Sequence, residues 1–329
     1  MAEIINKIKL LFAACRGYSA PTSILSWLIP FVFCALNGGN ILYGILVFPG
    51  ILALHMGVNI FDDCIDYIKE LNDINSGKKH SFNFQKGKCE YIMNGSLSLK
   101  SSFIIAFALF FIAILTGQFF INIYGLKLIM IIIITAILCL FYPILGCFCL
   151  GEIIVGTIYS VLLYSGISIV MTGNINSQLL IISVSTGMLV VNVLYNHMLL
   201  DYKVDTTNRK ITLCRLCGNE NNALILQILI ISLAYINILI QCAMNNLPYL
   251  YLTVFITLPY AIVLIKNMKL HIKNPNAQTE KSFFNIPEFI INKIPDNQKS
   301  FIIKFLMAEN LLYTFAIVLC ILIITDRII

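Results

Sequence analysis

Long apolar runs dominate this sequence, and they leave few folds open to it. A helix needs ~20 largely apolar residues to cross the hydrocarbon core of a bilayer. Runs of about that length recur at 20–37, 41–63, 101–123, 127–145, 152–172, 178–199, 222–243, 247–266 and 303–325. In lipid every backbone polar group must be satisfied within the protein, so such runs become helices rather than open strands. Of the 329 residues, 59% are hydrophobic and 12% are charged. Soluble domains carry about twice that charge fraction. The expected architecture is all-α: a polytopic membrane bundle of about nine transmembrane helices, with residues 1–329 forming one domain.

The basic residues set an orientation, because cytoplasmic loops collect Lys and Arg. With the N-terminus in the cytoplasm, all 22 basic residues except Lys127 and Arg327 fall on the inner side. The net charge of +6 is thereby a matter of topology and does not point to nucleic acid. Residues 3–15 are amphipathic and too short to span, so they read as a retained interfacial helix rather than a cleaved signal peptide. The pairs Cys147/Cys149 and Cys214/Cys217 have no second pair nearby, which argues against structural zinc. A polar loop is expected at 67–99, and a second interfacial helix at 282–291.

Two acidic stretches stand out against this apolar background. The first holds Asn59, Asp62, Asp63, Asp66 and Glu70, and ends one apolar run. Asp62, Asp66 and Glu70 are four apart, so on a helix their carboxylates share a face. The second, Asp201 and Asp205, ends a later run and has the same spacing. Acids at a membrane boundary often only mark that boundary, but two such clusters on one side are more specific. Stacked anions near hydrocarbon need a cation, and an all-oxygen donor set suits Mg2+. Both clusters fall on the cytoplasmic side in the orientation above. Facing each other over a cavity open to that side, they would hold magnesium and a diphosphate.

The pattern resembles the UbiA superfamily of intramembrane prenyltransferases. That family carries Asn-Asp-x-x-Asp-x-x-x-Asp on one helix and Asp-x-x-x-Asp on a later one. Here Asp62-Asp63-x-x-Asp66-x-x-x-Glu70 matches the first, with Asp62 in the Asn position and Glu70 in the Asp position. Asp201-x-x-x-Asp205, followed by Lys210-x-Thr212-Leu213 and Gly218, matches the second. That tail, together with Tyr142-Pro143 and the segment from Gly151 and Glu152 to Gly156, is similar to the branch that prenylates 1,4-dihydroxy-2-naphthoate. His197 and Leu200 stand where the family has Asn and Arg, with Asn196 beside the first of these positions.

The resemblance implies Mg2+-dependent transfer of a prenyl group from an isoprenyl diphosphate to an aromatic acceptor, a quinone precursor, in a multi-pass protein of the cell membrane. It makes Asp62, Asp63, Asp66, Glu70, Asp201 and Asp205 the metal ligands, with Asp66, Asp201 and Asp205 at the centre of catalysis. Asn59, Lys88, Lys203, Lys210, Tyr142, Glu152 and Asn196 become candidate substrate contacts. Glu152 could position the acceptor or serve as a structural acid. His55, one turn before Asn59, could touch substrate or simply bond within the bundle. A terpene cyclase on the same scaffold would need no acceptor. A cation transporter would want acids at mid-membrane in several spans. A CDP-alcohol phosphotransferase would carry Asp-Gly-x-x-Ala-Arg, which does not occur.

Overall fold

The computed structural model describes residues 2–75, 89–207, 211–275, 277, 279 and 296–328. Every regular element among them is helical. Among the described residues, nine stretches are long and apolar enough to cross a membrane, from Gly17–Leu36 to Lys299–Ile328, and each overlaps one of the expected runs.

In chain order the helices are α1 (Ala2–Ala14), α2 (Ala20–Leu36), α3 (Ile41–Asn75), α4 (Glu90–Met93), α5 (Leu99–Tyr124), α6 (Leu126–Leu145), α7 (Gly151–Thr157), α8 (Leu163–Thr172), α9 (Ser177–Leu200), α10 (Tyr202–Thr207), α11 (Leu213–Leu216), α12 (Glu220–Ala243), α13 (Leu258–Lys273) and α14 (Asp296–Ile328). One π turn, Ile158–Leu162, joins α7 to α8 within a single span. Such turns recur at functional positions because they re-aim a side chain. The eighth span starts as 3-10 turns, Tyr249–Thr257, before α13.

Hydrogen-bonding side chains mark several starts. Ser98, Asn176 and Asn219 each accept the backbone N–H three residues on, capping α5, α9 and α12. The polar loop expected from residue 67 begins later. Helix α3 runs through the acids to Asn75, and Asp66 pairs with Lys69 at 3.6 Å one turn on. Lys69 Nζ also donates to the Pro143 carbonyl at 2.9 Å, which ties this extension to the end of α6. The expected helix at 282–291 lies outside the described residues, as do Lys88 and Lys210.

The bundle is packed unevenly. The share of buried residues is 56% in the α9 span and 61% in the α14 span, against 11% in the α5 span. Helices α9 and α14 therefore form the centre, while α5 and α6 present Phe, Ile and Leu to lipid. Short polar ties lock the centre. Gln227 Nε2 donates to Asn196 at 2.9 Å and Asn192 at 3.1 Å, and Asn196 donates to the Lys304 carbonyl at 3.2 Å. The end of α1 packs on α3, where Ala14 and Cys15 are buried with Ile60, Cys64 and Tyr91.

Helices α7 and α9 approach so closely that only glycine fits at the crossing. A Cβ on Gly187 would lie 2.7 Å from Ser160 Cβ and 3.3 Å from the Gly156 carbonyl oxygen. Gly187→Val should cost about 1–3 kcal/mol. It should lower the thermal midpoint of the detergent-solubilised protein. Gly146→Ala, where an added Cβ meets nothing within 4 Å, should leave the midpoint unchanged.

Candidate active site

The acidic end of α3 meets an internal cation. Arg16 follows α1 in a left-handed conformation (φ 51°), which turns the chain from α1 toward α2. Its guanidinium reaches Asp62 at 3.4 Å and bonds Asp63 directly. Burial alone would lower the Arg16 pKa, but Asp63 and Asp62 outweigh that and hold it above its ordinary value. Both carboxylates are nearly out of water, Asp62 at 5% and Asp63 at 0% exposure. Asp63 also accepts from the Cys89 amide at 3.2 Å, fastening α4 to the cluster. Asn59 donates to the Cys15 carbonyl at 3.1 Å.

Beneath this ion pair lies a cavity of about 690 Å³. Arg16, Asn59 and Asp62 line it at one end, with Tyr142, Glu152 and His197. His55, Ser19, Ser23 and Tyr159 line it further in. Ser19 Oγ lies 3.1 Å from His55 Nε2, Ser23 Oγ lies 2.6 Å from His55 Nδ1, and Tyr159 is 3.2 Å from Ser23. Most of the rest of the wall is apolar, including Val47, Ile51, Phe120, Leu128, Leu163 and Ile167, with Thr22, Thr116, Gln118, Thr135 and Glu309 as polar exceptions.

The second acidic stretch lies at the same end of the bundle. His197 Nδ1 is 3.5 Å from Asp201, and the His197 ring meets Phe301 and Phe305 edge-on at 5.4 and 5.6 Å. Through His197, Asp201 is joined to the cavity wall. Asp205 is buried, and its carbonyl accepts from Arg215 at 3.5 Å. Burial pushes up the Cys214 thiol, and the nearby Glu152 and Asp205 carboxylates add to that shift. Glu152 thus links the cavity to the second acidic stretch. Lys69 on Pro143 links the first stretch to Tyr142, which lies near enough to Arg16 to act on its charge.

The structure therefore brings Asn59, Asp62, Tyr142 and Glu152 to one cavity. Asp63 lies behind Asp62, held by Arg16 and Cys89. Asp66 pairs with Lys69, Glu70 is buried, and neither forms part of the cavity wall. Lys203 sits at the surface, 3.8 Å from Glu220. Asn196 is fully buried among α9, α12 and α14, away from the cavity. Among the described residues, no three His, Cys, Asp or Glu side chains are grouped so as to hold a metal by themselves. Sequence reasoning used Arg16 only as a topological charge and passed over Ser23, Tyr159 and Glu309. Glu309 stands inside an apolar run, and that position alone was a signal.

A model of the UbiA prenyltransferase family matches residues 23–287. The chain belongs to the UbiA prenyltransferase family. That match spans both acidic stretches, Tyr142 and Glu152, while Arg16 and Glu309 lie outside it. Solved UbiA-type structures share the fold. A digeranylgeranylglyceryl phosphate synthase is 16% identical with a TM-score of 0.60, over 96% of this chain and 99% of that one. A UbiA homolog from Aeropyrum pernix K1 is 12% identical with a TM-score of 0.58, over 92% and 97%. A UbiA homolog from Archaeoglobus fulgidus, bound to GPP and Mg2+, is 12% identical with a TM-score of 0.54, over 92% and 99%. No curated protein sequence matches this UbiA chain.

The buried pair is a measurable dependency of this UbiA protein. Arg16→Met leaves two carboxylates without their guanidinium and should cost about 3 kcal/mol. Asp63→Asn in the Arg16→Met background should recover part of that loss. A double-mutant cycle of melting midpoints reads the coupling.

Proposed function

We propose that this chain is a Mg2+-dependent aromatic prenyltransferase. The observation that carries the proposal is a cavity with charge clustered at one end and a mostly apolar wall elsewhere. An isoprenyl diphosphate has the same division between its ends. Family membership supports the reaction class. The Archaeoglobus fulgidus homolog bound to GPP and to DMAPP with Mg2+ supports the choice of donor and metal.

In this reading the charged mouth, at Arg16, Asn59 and Asp62, receives the diphosphate. The donor set there is entirely oxygen, which suits a hard divalent ion, and Arg16 would turn from the carboxylates to the phosphate oxygens as that ion binds. Asp62, Asp63, Asp66 and Glu70 on one side, and Asp201 and Asp205 on the other, would hold it. Bound magnesium supplies neutralisation of the departing diphosphate. Arg16 adds charge-assisted hydrogen bonds to phosphate oxygens, and Lys88, Lys203 and Lys210 remain candidates for the same role. The apolar wall takes the isoprenoid tail and keeps water from the allylic cation. The faces of Tyr142 and Tyr159 stabilise its positive charge.

For the acceptor we favour a quinone precursor of the 1,4-dihydroxy-2-naphthoate type. The support is the likeness of Tyr142-Pro143, Gly151–Gly156 and the segment after Asp205 to that branch. Glu152 stands between the mouth and the second acidic stretch, where it would position such a ring. We further propose that the chain acts as one domain in the cell membrane. The acidic end and the cavity mouth would then face the cytoplasm, as the distribution of Lys and Arg suggests.

Purified protein given a prenyl diphosphate, Mg2+ and 1,4-dihydroxy-2-naphthoate should form a prenylated naphthoate and diphosphate. EDTA should abolish product. Asp62→Asn, Asp66→Ala and Asp201→Ala should each lower turnover on the order of 100-fold. Full activity in all three would refute the assignment. Products formed from diphosphate alone would favour a cyclase instead.

A further inference from the structure

The last helix carries a carboxylate that the reaction above leaves unused. Glu309 lies well inside the α14 span, is 5% exposed, and forms part of the cavity wall. Phe305, one turn earlier, lines the same cavity, so this face of α14 looks inward. Tyr313, one turn later, is within hydrogen-bonding reach of the carboxylate, and Thr22 of α2 is within reach of Tyr313. Thr22 adjoins Ser23, which bonds His55 at 2.6 Å. These contacts put Glu309 near the level of the His55 ring. His55 precedes Asp62 by seven residues of α3, which at ~1.5 Å per residue is about 10 Å deeper than the mouth.

A carboxylate facing hydrocarbon is costly to desolvate, and an acid within a span is retained for a use. Tyr313 can donate to one carboxylate oxygen, and the lone pairs that remain can take a donor brought by a ligand. An isoprenoid tail has no such donor, and an ionised diphosphate accepts rather than donates. Of the two substrates, only the acceptor carries a suitable group, its ring hydroxyl. We infer that Glu309 accepts a hydrogen bond from the acceptor's hydroxyl, selecting a hydroxyl-bearing aromatic and setting its depth beside the allylic carbon. This rests on the prenyl-transfer reading. An anionic substituent on the same ring is turned from Glu309 toward Arg16. The binding of the donor diphosphate does not involve Glu309.

The test separates binding from turnover. Full-length protein in nanodiscs is titrated with 1,4-dihydroxy-2-naphthoate and with its dimethoxy ether, which has no ring O–H. Wild type should bind the dihydroxy compound at least 10-fold more tightly. Glu309→Leu should bind both equally, and Glu309→Gln, which keeps an acceptor oxygen, should retain a few-fold preference. Geranyl diphosphate affinity, unchanged in both variants, reports intact folding. In turnover the acceptor KM should rise about 10-fold in Glu309→Leu while the KM for the diphosphate holds. No preference in wild type, or an undiminished preference in Glu309→Leu, overturns the inference. A Glu309-dependent preference for a monoalkylglycerol over the naphthoate overturns the aromatic assignment. Glu309-dependent binding without prenylated product refutes the transferase reading and leaves the hydroxyl contact standing.

Discussion

Carboxylates held out of water at the end of a greasy bundle are the constraint on which this molecule turns. Asp62 and Asp63 could not stay charged there without a partner, because desolvating an ion costs several kcal/mol. Arg16 is one such partner, and much of the local architecture serves to deliver it. The chain leaves α1 through a left-handed residue at Arg16, Ser19 Oγ donates back to the Arg16 carbonyl at 2.8 Å, and Asn59 pins the Cys15 carbonyl. The C-terminal end of the amphipathic α1 is thereby tied to α3. The same pairing makes the site ready for chemistry. A guanidinium beside two carboxylates can turn to a phosphate group as those carboxylates take up a metal ion.

The remaining polar groups follow one rule, which differs between the centre and the cavity. At the centre, Asn196 and Gln227 bond one another, and Lys304 Nζ meets Ser300 at 2.6 Å and His271 at 3.5 Å. In a low dielectric such networks specify how helices pack. Around the cavity the polar groups face open space. His55 has serine hydroxyls on both ring nitrogens, yet Ser19, Ser23, Tyr159 and His55 all line the void. The first kind of group holds helices together, and the second kind is placed to meet a ligand.

This distinction explains what could be read from the chain alone. Nine spans were legible because bilayer thickness fixes helix length independently of tertiary detail. The two acidic stretches were legible because charge at the edge of an apolar run is rare. Which side chains look inward was not legible. Asn196 and Glu152 look alike as polar residues in apolar runs, yet one is locked into the helix core and the other lines the cavity. Helix α14 is buried on most sides, so its apolar pattern does not single out the face that carries Glu309. Arg16 lies 46 residues from Asp62, and charge counting along the sequence cannot tell a topological cation from an ion-pair partner.

The cavity arranges its surroundings by depth. Guanidinium and a carboxylate stand at the mouth, hydroxyls, an imidazole and the Glu309 carboxylate come next, and the wall beyond them is mostly hydrocarbon. A reactive carbocation formed at the middle level would have charge stabilisation above it and a dry chamber below. Neither end alone would serve. A wholly polar pocket would admit water that quenches the cation, and a wholly apolar one could not release the diphosphate. The physical problem of burying acids in a membrane and the chemical problem of parting an anion from a carbocation therefore share one solution: a steep change in polarity over about two helical turns, or roughly 10 Å.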